Sequence, residues 1–322
     1  MANVYRYSED RRLEWEDLVR HSSNGTFLHS RSYLDYHQNR FVDHSLMVYL
    51  EGKLVGGLVA HEILDTIYSH LGLTYGGIIL HRKLSSKQIY AIVAAVLKYL
   101  SEGGFETLIL KHLPSIYAPY GQGILEHCYF LVGAELVSRE YVSAIKLPMD
   151  MDTWAHGRRW ALKKAEKANL RVEEAYEMDG FWEKVLIPNL QEKFGANPVH
   201  SNEEISYLAR HNPGHIRQYN VLMEAKIVAG ITIFETPQVV RTQYISATLL
   251  GKSLHALDLL IYHLGTQAFC DKEYIDMGTS HEVQGRKIKH SLLYWKESFG
   301  ALPYLQDTYQ IQTSSYAYLG DL

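Results

Sequence analysis

Two stretches of the chain carry the same alternation of apolar and polar positions. The run SLMVYL at 45–50 leads into a tight polar turn and a second alternating run, which predicts an antiparallel hairpin, and YNVLM at 219–223 does the same. The turns themselves repeat. Glu51-Gly52-Lys53-Leu54-Val55-Gly56-Gly57-Leu58 returns as Glu224-Ala225-Lys226-Ile227-Val228-Ala229-Gly230-Ile231, 173 residues later (51 to 224). After each hairpin the apolar period lengthens to that of a helix. Ile89, Val93, Val96 and Leu100 share one face of 89–100, and Leu254, Leu257, Ile261 and Leu264 share one face of 253–264. Short strands follow at 105–111 (FETLILK) and 273–278 (EYIDMG), then helix-compatible stretches that close on Val132-Gly133-Ala134 and Phe299-Gly300-Ala301.

A strand that follows a helix that follows a strand favours parallel pairing with a right-handed crossover, so each half is a hairpin-started α/β unit. The predicted fold is α/β (α+β): two tandem domains, each a mixed β-sheet flanked by helices, with a cleft between them. The boundary is expected near residue 150, after the strand YVSAIKL (141–147), giving domains 1–150 and 151–322. A length of 322 residues suits two cores better than one.

Composition narrows the partners. The chain is 47% hydrophobic and 21% charged, with a net charge of −4 and a pI near 6.5, so no global positive field recruits nucleic acid or anionic lipid. The first residues, MANVYRYSEDRRLEWEDL, lack the apolar stretch of a signal peptide, and no run of about eighteen apolar residues occurs, so a cytoplasmic protein without membrane insertion is expected. Cys128 and Cys270 lie in apolar contexts without CxxC spacing, which reads as buried thiols; no metal site is expected. The 24 tyrosines fit amphipathic rings at sheet and domain surfaces.

The junction Tyr244-Ile-Ser-Ala-Thr-Leu-Leu-Gly-Lys-Ser-Leu254 is the leading site candidate. There a strand runs into Gly251, Lys252 and Ser253 just before the predicted helix. Unpaired N–H groups and partial positive charge at a helix start suit a pyrophosphate, and a glycine lets it approach; the plainer reading makes Ser253 an N-cap and Lys252 a solvated charge. The one dense basic run is Arg158, Arg159, Lys163, Lys164 and Lys167, a candidate contact for carrier phosphates or a solvated helix face. Trp154 and Trp160 stand beside it. Candidate bases lie at adjacent strand ends: Glu235 closes ITIFE, Asp276 closes YID, and His281 follows in the turn.

The strand, phosphate-type turn, helix, strand, and helix closing on aromatic-Gly resemble the GNAT acyltransferases. The tandem arrangement resembles the Fem-type double-GNAT family more closely. TFLHSRSYL (26–34), LTYGGIIL (73–80), RRWALKKAEKANLRVEEA (158–175), GKSLHALDLL (251–260) and 275–301 carry that likeness over about residues 25–310. The resemblance implies two tandem GNAT-like domains, the second binding the donor and performing the chemistry. It implies strands splayed near 244–248, a backbone N–H from Ser246 or Ala247 for the developing oxyanion, and Tyr294 as the group that protonates the leaving atom. It places the acceptor with the first domain, where Arg31, Tyr36, Tyr75, Gly76 and Gly77 are candidates for the cleft wall; Tyr244 is a further candidate for substrate binding. The leading expectation is an N-acyltransferase using acetyl-CoA or another acyl-CoA as co-substrate, acting on an amine of a small-molecule or nucleotide-linked acceptor such as a sugar, nucleotide-sugar, amino acid or cell-envelope precursor. The alternatives are a Fem-type peptidyltransferase that takes its amino acid from aminoacyl-tRNA, and a non-catalytic ligand-binding module. No element points to an oligomeric state.

Overall fold

The computed structural model describes residues 2–37, 39–118, 120 and 122–320. The chain forms two compact units. One holds residues 1–141, 281–287 and 304–322, and the other holds 142–280 and 288–303.

In the first unit Leu46–Leu50 pairs antiparallel with Lys53–Val59 through a turn whose Glu51 and Gly52 have φ of 49° and 76°, the left-handed pair that suits a two-residue hairpin. Ala2–Arg6 and Gly77–Leu80 flank this hairpin to complete four strands. A second group pairs Thr308–Gln312, the end of the strand Leu302–Gln312, with Thr107–Lys111, and Thr107–Ile109 with Thr66–Tyr68. The helix Ser86–Glu102 opens on Ser85, whose hydroxyl accepts from the Gln88 N–H while the Gln88 side chain accepts from the Ser85 N–H, a reciprocal cap. Its Ile92, Val93, Val96, Leu97 and Leu100 bury against Leu108, Leu110 and Ile311 of the sheet.

The second unit repeats the hairpin as Ile216–Met223 and Lys226–Glu235, and extends it with Leu170–Ala175 on one side and Val239–Ala247 on the other. The duplication is carried down to a defect. A bulge separates Val48↔Gly56 from Tyr49↔Leu54 in the first hairpin, and a bulge separates Val221↔Ala229 from Leu222↔Ile227 in the second, 173 residues on at every position. The core of this unit gathers Val221, Ile231, Ile233, Val240, Leu260, Ile261, Leu264 and Phe299.

The continuous helix expected over 253–264 is divided. Leu249–Ser253 forms one short turn capped by Thr248, and Ala256–His263 starts afresh after His255, a non-glycine residue at φ 57°. Thr248 accepts the Gly251 N–H at 3.0 Å and donates to the Val228 carbonyl, so the chain is pulled against the neighbouring strand before the main helix begins. Cys128 is buried as expected, but Cys270 is exposed, because it falls in the loop after the helix and not on its inner face.

Candidate functional site

In the second unit Val239–Ala247 runs parallel to Tyr274–Thr279, but the pairing covers only Val239↔Tyr274, Val240↔Ile275 and Arg241↔Asp276. Beyond Arg241 the two strands part. Residues 242–247 keep antiparallel partners on their other side, Thr242↔Ile233 through Ala247↔Ala229, so one edge of this segment lacks a strand partner past the Thr242 hydroxyl, which donates to the Asp276 carbonyl at 3.3 Å, and the gap between the parted strands is the candidate slot.

A buried polar cluster closes the base of that slot. Asp276 is fully buried; its carboxylate accepts from Arg241 at 2.6 Å and from the backbone N–H of Gly278 at 2.6 Å. Gly278 adopts φ 74°, which bends the strand end and turns its carbonyl outward from the ladder. That carbonyl and the next, Thr279, accept from the Lys296 ammonium at 2.8 and 2.7 Å. Lys296 sits on the helix His290–Glu297 and is only 3% exposed. Burial lowers its pKa to about 8, against the opposing pull of Asp276. Sequence reading missed Lys296. The available signal was register: it stands three residues after Leu293 and three before Phe299, a cation on the inward stripe of a helix.

The other candidates are dispersed. Glu235 lies at the far end of the hairpin from Ser246, ion-paired to Arg217 at 2.9 Å and Lys272 at 2.8 Å. His281 belongs to the first unit, its ring against Tyr141 at 4.3 Å, and Tyr294 is 70% exposed on the outer face of its helix. Tyr244 shares a 2.6 Å hydrogen bond with His200 Nδ1 and packs edge-on to Trp182; burial raises its pKa to about 12. Asn189 donates to the Ser246 hydroxyl and to the Ala247 carbonyl, both at 2.8 Å, and so pins the end of the slot strand.

The glycine-lysine turn answers to demands other than a phosphate cradle. A Cβ on Gly251 would lie 2.1 Å from the Val228 carbonyl oxygen, so close strand packing requires the glycine there. Its N–H is already taken by Thr248, and the Ser253 hydroxyl donates to the Leu250 carbonyl. What remains available is charge. Lys193 beside Lys252 holds that ammonium below its ordinary pKa, and Lys164 reaches the Ser253 carbonyl at 3.5 Å. In the helix His156–Glu166 Arg158 is consumed internally, bonding to buried Asp258 at 3.0 Å and to Ser298 at 2.8 Å. Lys163, Lys164 and Lys167 point outward together with Trp160, which is 57% exposed, carries Lys164 over its ring at 5.4 Å and stands edge-on to His255 at 5.7 Å. Trp154, by contrast, is buried against Phe299.

In the first unit the wall candidates have partners within the unit. Arg31 is buried, bridges Asp35 and Asp43 and lies 3.8 Å over the Tyr7 ring; the Tyr75 hydroxyl donates to Thr26 at 3.2 Å, beneath Tyr117. Tyr36 stands edge-on to His37 and accepts from Arg40 at 3.2 Å. A Cβ on Gly76 would lie 1.9 Å from the Ser69 carbonyl oxygen, and Gly77 adopts φ 99°. Among the described residues no group of three or more metal-ligating side chains occurs, and no helix is long and apolar enough to cross a membrane.

This geometry, a bulged hairpin leading to parallel strands that part after three residues, occurs in a recognisable class of structures. The chain adopts the tandem-GNAT, Fem-like fold. It is similar over 99% of its length to all of the crystal structure of FemX, with a TM-score of 0.69 at 10% identity. It is also similar over 95% of its length to 94% of L-PGS from Bacillus licheniformis, with a TM-score of 0.57 at 10% identity. A tandem GNAT protein from the clavulanic acid biosynthesis pathway matches 97% of the chain over 99% of its own, with a TM-score of 0.52 at 11% identity. No protein-family model and no curated protein matches the sequence.

Proposed function

We propose that this protein is an acyltransferase that receives an activated acyl group in the slot of its second unit and passes it to an amine. The observation that carries the reading is the Lys296 ammonium at the base of the parted strands, with two of its three N–H bonds donated to the Gly278 and Thr279 carbonyls. The remaining N–H serves the carbonyl oxygen of the acyl group as it becomes an oxyanion, in surroundings dry enough to make that charge interaction strong. The acceptor nitrogen bonds to the acyl carbon, the bond to the carrier breaks, the amine gives up one proton and the leaving atom gains one. Asp276, held by Arg241 and Gly278, positions the strand end and is not free to act as a base.

Between the two carriers implied by the Fem-type resemblance, aminoacyl-tRNA is favoured. The N–H groups of Gly251 and Lys252, two of those that would face the pyrophosphate of coenzyme A, are taken by Thr248, whereas the outer face offers Lys163, Lys164, Lys167 and the Lys193–Lys252 pair around an exposed indole. Cations interleaved with an aromatic ring are what a single-stranded nucleic-acid end requires. The second reading keeps acetyl-CoA as donor. It draws on the likeness to the tandem GNAT protein from the clavulanic acid biosynthesis pathway, a structure described as being without AcCoA. A donor screen decides: label moving to an amine from charged tRNA and not from acetyl-CoA supports the first reading, the reverse supports the second, and transfer from neither, with several amines present, rejects the acyltransferase reading.

A further inference from the structure

We infer that Tyr244 and His200 form a proton relay at the candidate slot, carrying the proton that the acceptor amine gives up to the atom that leaves the acyl carbon. This rests on the acyltransferase reading and deepens it by naming the groups that move the proton.

Of the six residues 242–247 on the parted strand, Tyr244 alone carries an ionisable side chain. Its direction comes from a defect in the ladder. Thr232 pairs with Tyr244 and Ile233 with Thr242, so Gln243 is an extra residue and the alternation of side chains reverses across it. Tyr244 thereby turns to the face of Thr232, where the Trp182 indole donates to the Thr232 hydroxyl at 3.0 Å and stands edge-on to the Tyr244 ring at 4.6 Å. Tyr244 and Thr279 each lie three residues beyond the last parallel pair, Arg241↔Asp276. The Thr279 carbonyl holds Lys296, so one edge of the gap brings a phenol and the other an ammonium.

The phenol has a partner able to exchange its proton. His200 is 5% exposed; its Nδ1 lies 2.6 Å from the Tyr244 hydroxyl oxygen, to which its backbone N–H also donates at 3.4 Å. The next residue fixes this geometry. Ser201 caps the helix Asn202–His211, its hydroxyl accepting the Glu204 N–H while the Glu204 carboxylate accepts the Ser201 N–H. Burial raises the Tyr244 pKa to about 12, with the Glu204 charge adding to the rise, so the proton rests on the phenol. The same carboxylate favours an imidazolium when one forms. The other candidate acids and bases are committed elsewhere: Asp276 to Arg241 and Gly278, Glu235 to Arg217 and Lys272.

Nδ1 is unprotonated at rest and accepts from the phenol. As the amine nitrogen bonds to the acyl carbon it passes a proton to the Tyr244 oxygen, and the phenol proton moves to Nδ1. When the bond to the carrier breaks, its electron pair goes to the leaving atom. That atom takes the proton from the Tyr244 oxygen, and Nδ1 returns its proton to the phenol. The amine proton ends on the carrier, both side chains regain their starting forms, and nothing is oxidised or reduced.

Single-turnover transfer to glycylglycine, ethanolamine and D-glucosamine, from charged tRNA and from acetyl-CoA, tests the relay in mixtures of H2O and D2O. The wild type is compared with Tyr244→Phe and His200→Asn, with thermal melts to check folding. Asparagine keeps an acceptor near the position of Nδ1 but takes no proton, so H200N holds the phenol and stops the relay; should Y244F fail to fold, H200N decides. The expected rate falls about 10²–10⁴-fold in Y244F and about tenfold or more in H200N, at unchanged donor affinity. The wild-type rate should bend with the D2O fraction, because more than one proton moves in the step, and the bend should disappear in H200N. A rate within about twofold of the wild type in either folded variant, a loss of donor affinity at unchanged rate, or the same curvature in H200N overturns the relay. The two readings fail separately: no transfer by the wild type from either donor removes the acyltransferase and the relay with it, while transfer that the variants leave untouched removes the relay alone.

Discussion

The two units solve one problem in two ways. In each, a parallel pairing lasts three residues: Thr66↔Thr107 to Tyr68↔Ile109 in the first, Val239↔Tyr274 to Arg241↔Asp276 in the second. Four residues beyond Thr107 and Tyr274 stand Lys111 and Gly278, whose carbonyls have lost the neighbouring strand. In the first unit the chain leaves the sheet at Ser69, loops through 69–76 and returns, so that the backbone N–H of Gly76 donates to the Lys111 carbonyl at 3.0 Å and Ser69 accepts the Lys111 N–H. In the second unit the strand continues without a loop, and the Gly278 carbonyl is met by the Lys296 ammonium. A buried backbone carbonyl must find a donor, and the choice of donor decides what else fits. The backbone loop closes the gap with its own Tyr75 and His70. The lysine tip satisfies the same need and leaves the gap open.

The largest effect expected from breaking this contrast is at Lys296. Lys296→Met should lower acyl transfer roughly 10²–10³-fold, as loss of an oxyanion donor does, while leaving two carbonyls unsatisfied at a cost of about 1–3 kcal/mol in stability. Steady-state rates beside a denaturant melt separate these, and unchanged rates would remove Lys296 from the chemistry. Because its pKa is lowered to about 8, the ammonium is lost as pH rises through 8, and transfer should decline there; Lys296→Arg, which retains its charge, should abolish that limb if it is active at all.

Acid should separate the units next. Burial lowers the pKa of His29 and His61 to about 4 and of His70 to about 3, all in the first unit. The unfolded chain therefore binds more protons than the folded unit below about pH 6.5, so stability is intact above that pH and falls as pH drops toward 4, by up to about 3 kcal/mol per histidine. Hydrogen exchange at pH 4.5 should show the helix Ser86–Glu102 unprotected while Ala256–His263 stays protected; simultaneous loss would deny the difference.

Smaller and matched effects belong to the two glycines. Gly76→Ala and Gly251→Ala each drive a Cβ into a carbonyl oxygen, at 1.9 and 2.1 Å, and each should destabilise its own unit by roughly 1–3 kcal/mol. Thermal melts of both variants check this. Least of all, Trp160→Ala should weaken binding of a single-stranded RNA end about tenfold, and Lys252→Glu by a few fold, in fluorescence titrations.

Much of the fold was legible because its signals are local. The hairpins announce themselves by period-two alternation and by Glu51-Gly52, and the repeat of the turn sequence carried the duplication. The divided helix at 249–263 was not legible, since it depends on how near Val228 comes to Gly251, a distance no local pattern encodes. The same holds for the site. Asp276 was singled out as an acid at a strand end, but its commitment to Arg241 follows from a parallel register between segments some thirty-five residues apart. Lys296 was visible as a charge on a helix stripe and acquires meaning only from the carbonyls of Gly278 and Thr279.

Hydrogen exchange of the whole protein with and without a stable, amide-linked aminoacyl-RNA helix tests the central claim, that the second unit's slot takes the donor and the first unit's equivalent is shut by its own chain. Slower exchange of the amides of 242–247 and 278–279, with 66–80 and 107–111 unchanged, is the predicted result. Protection appearing at 66–80 and 107–111 while 242–247 exchanges as before would contradict it.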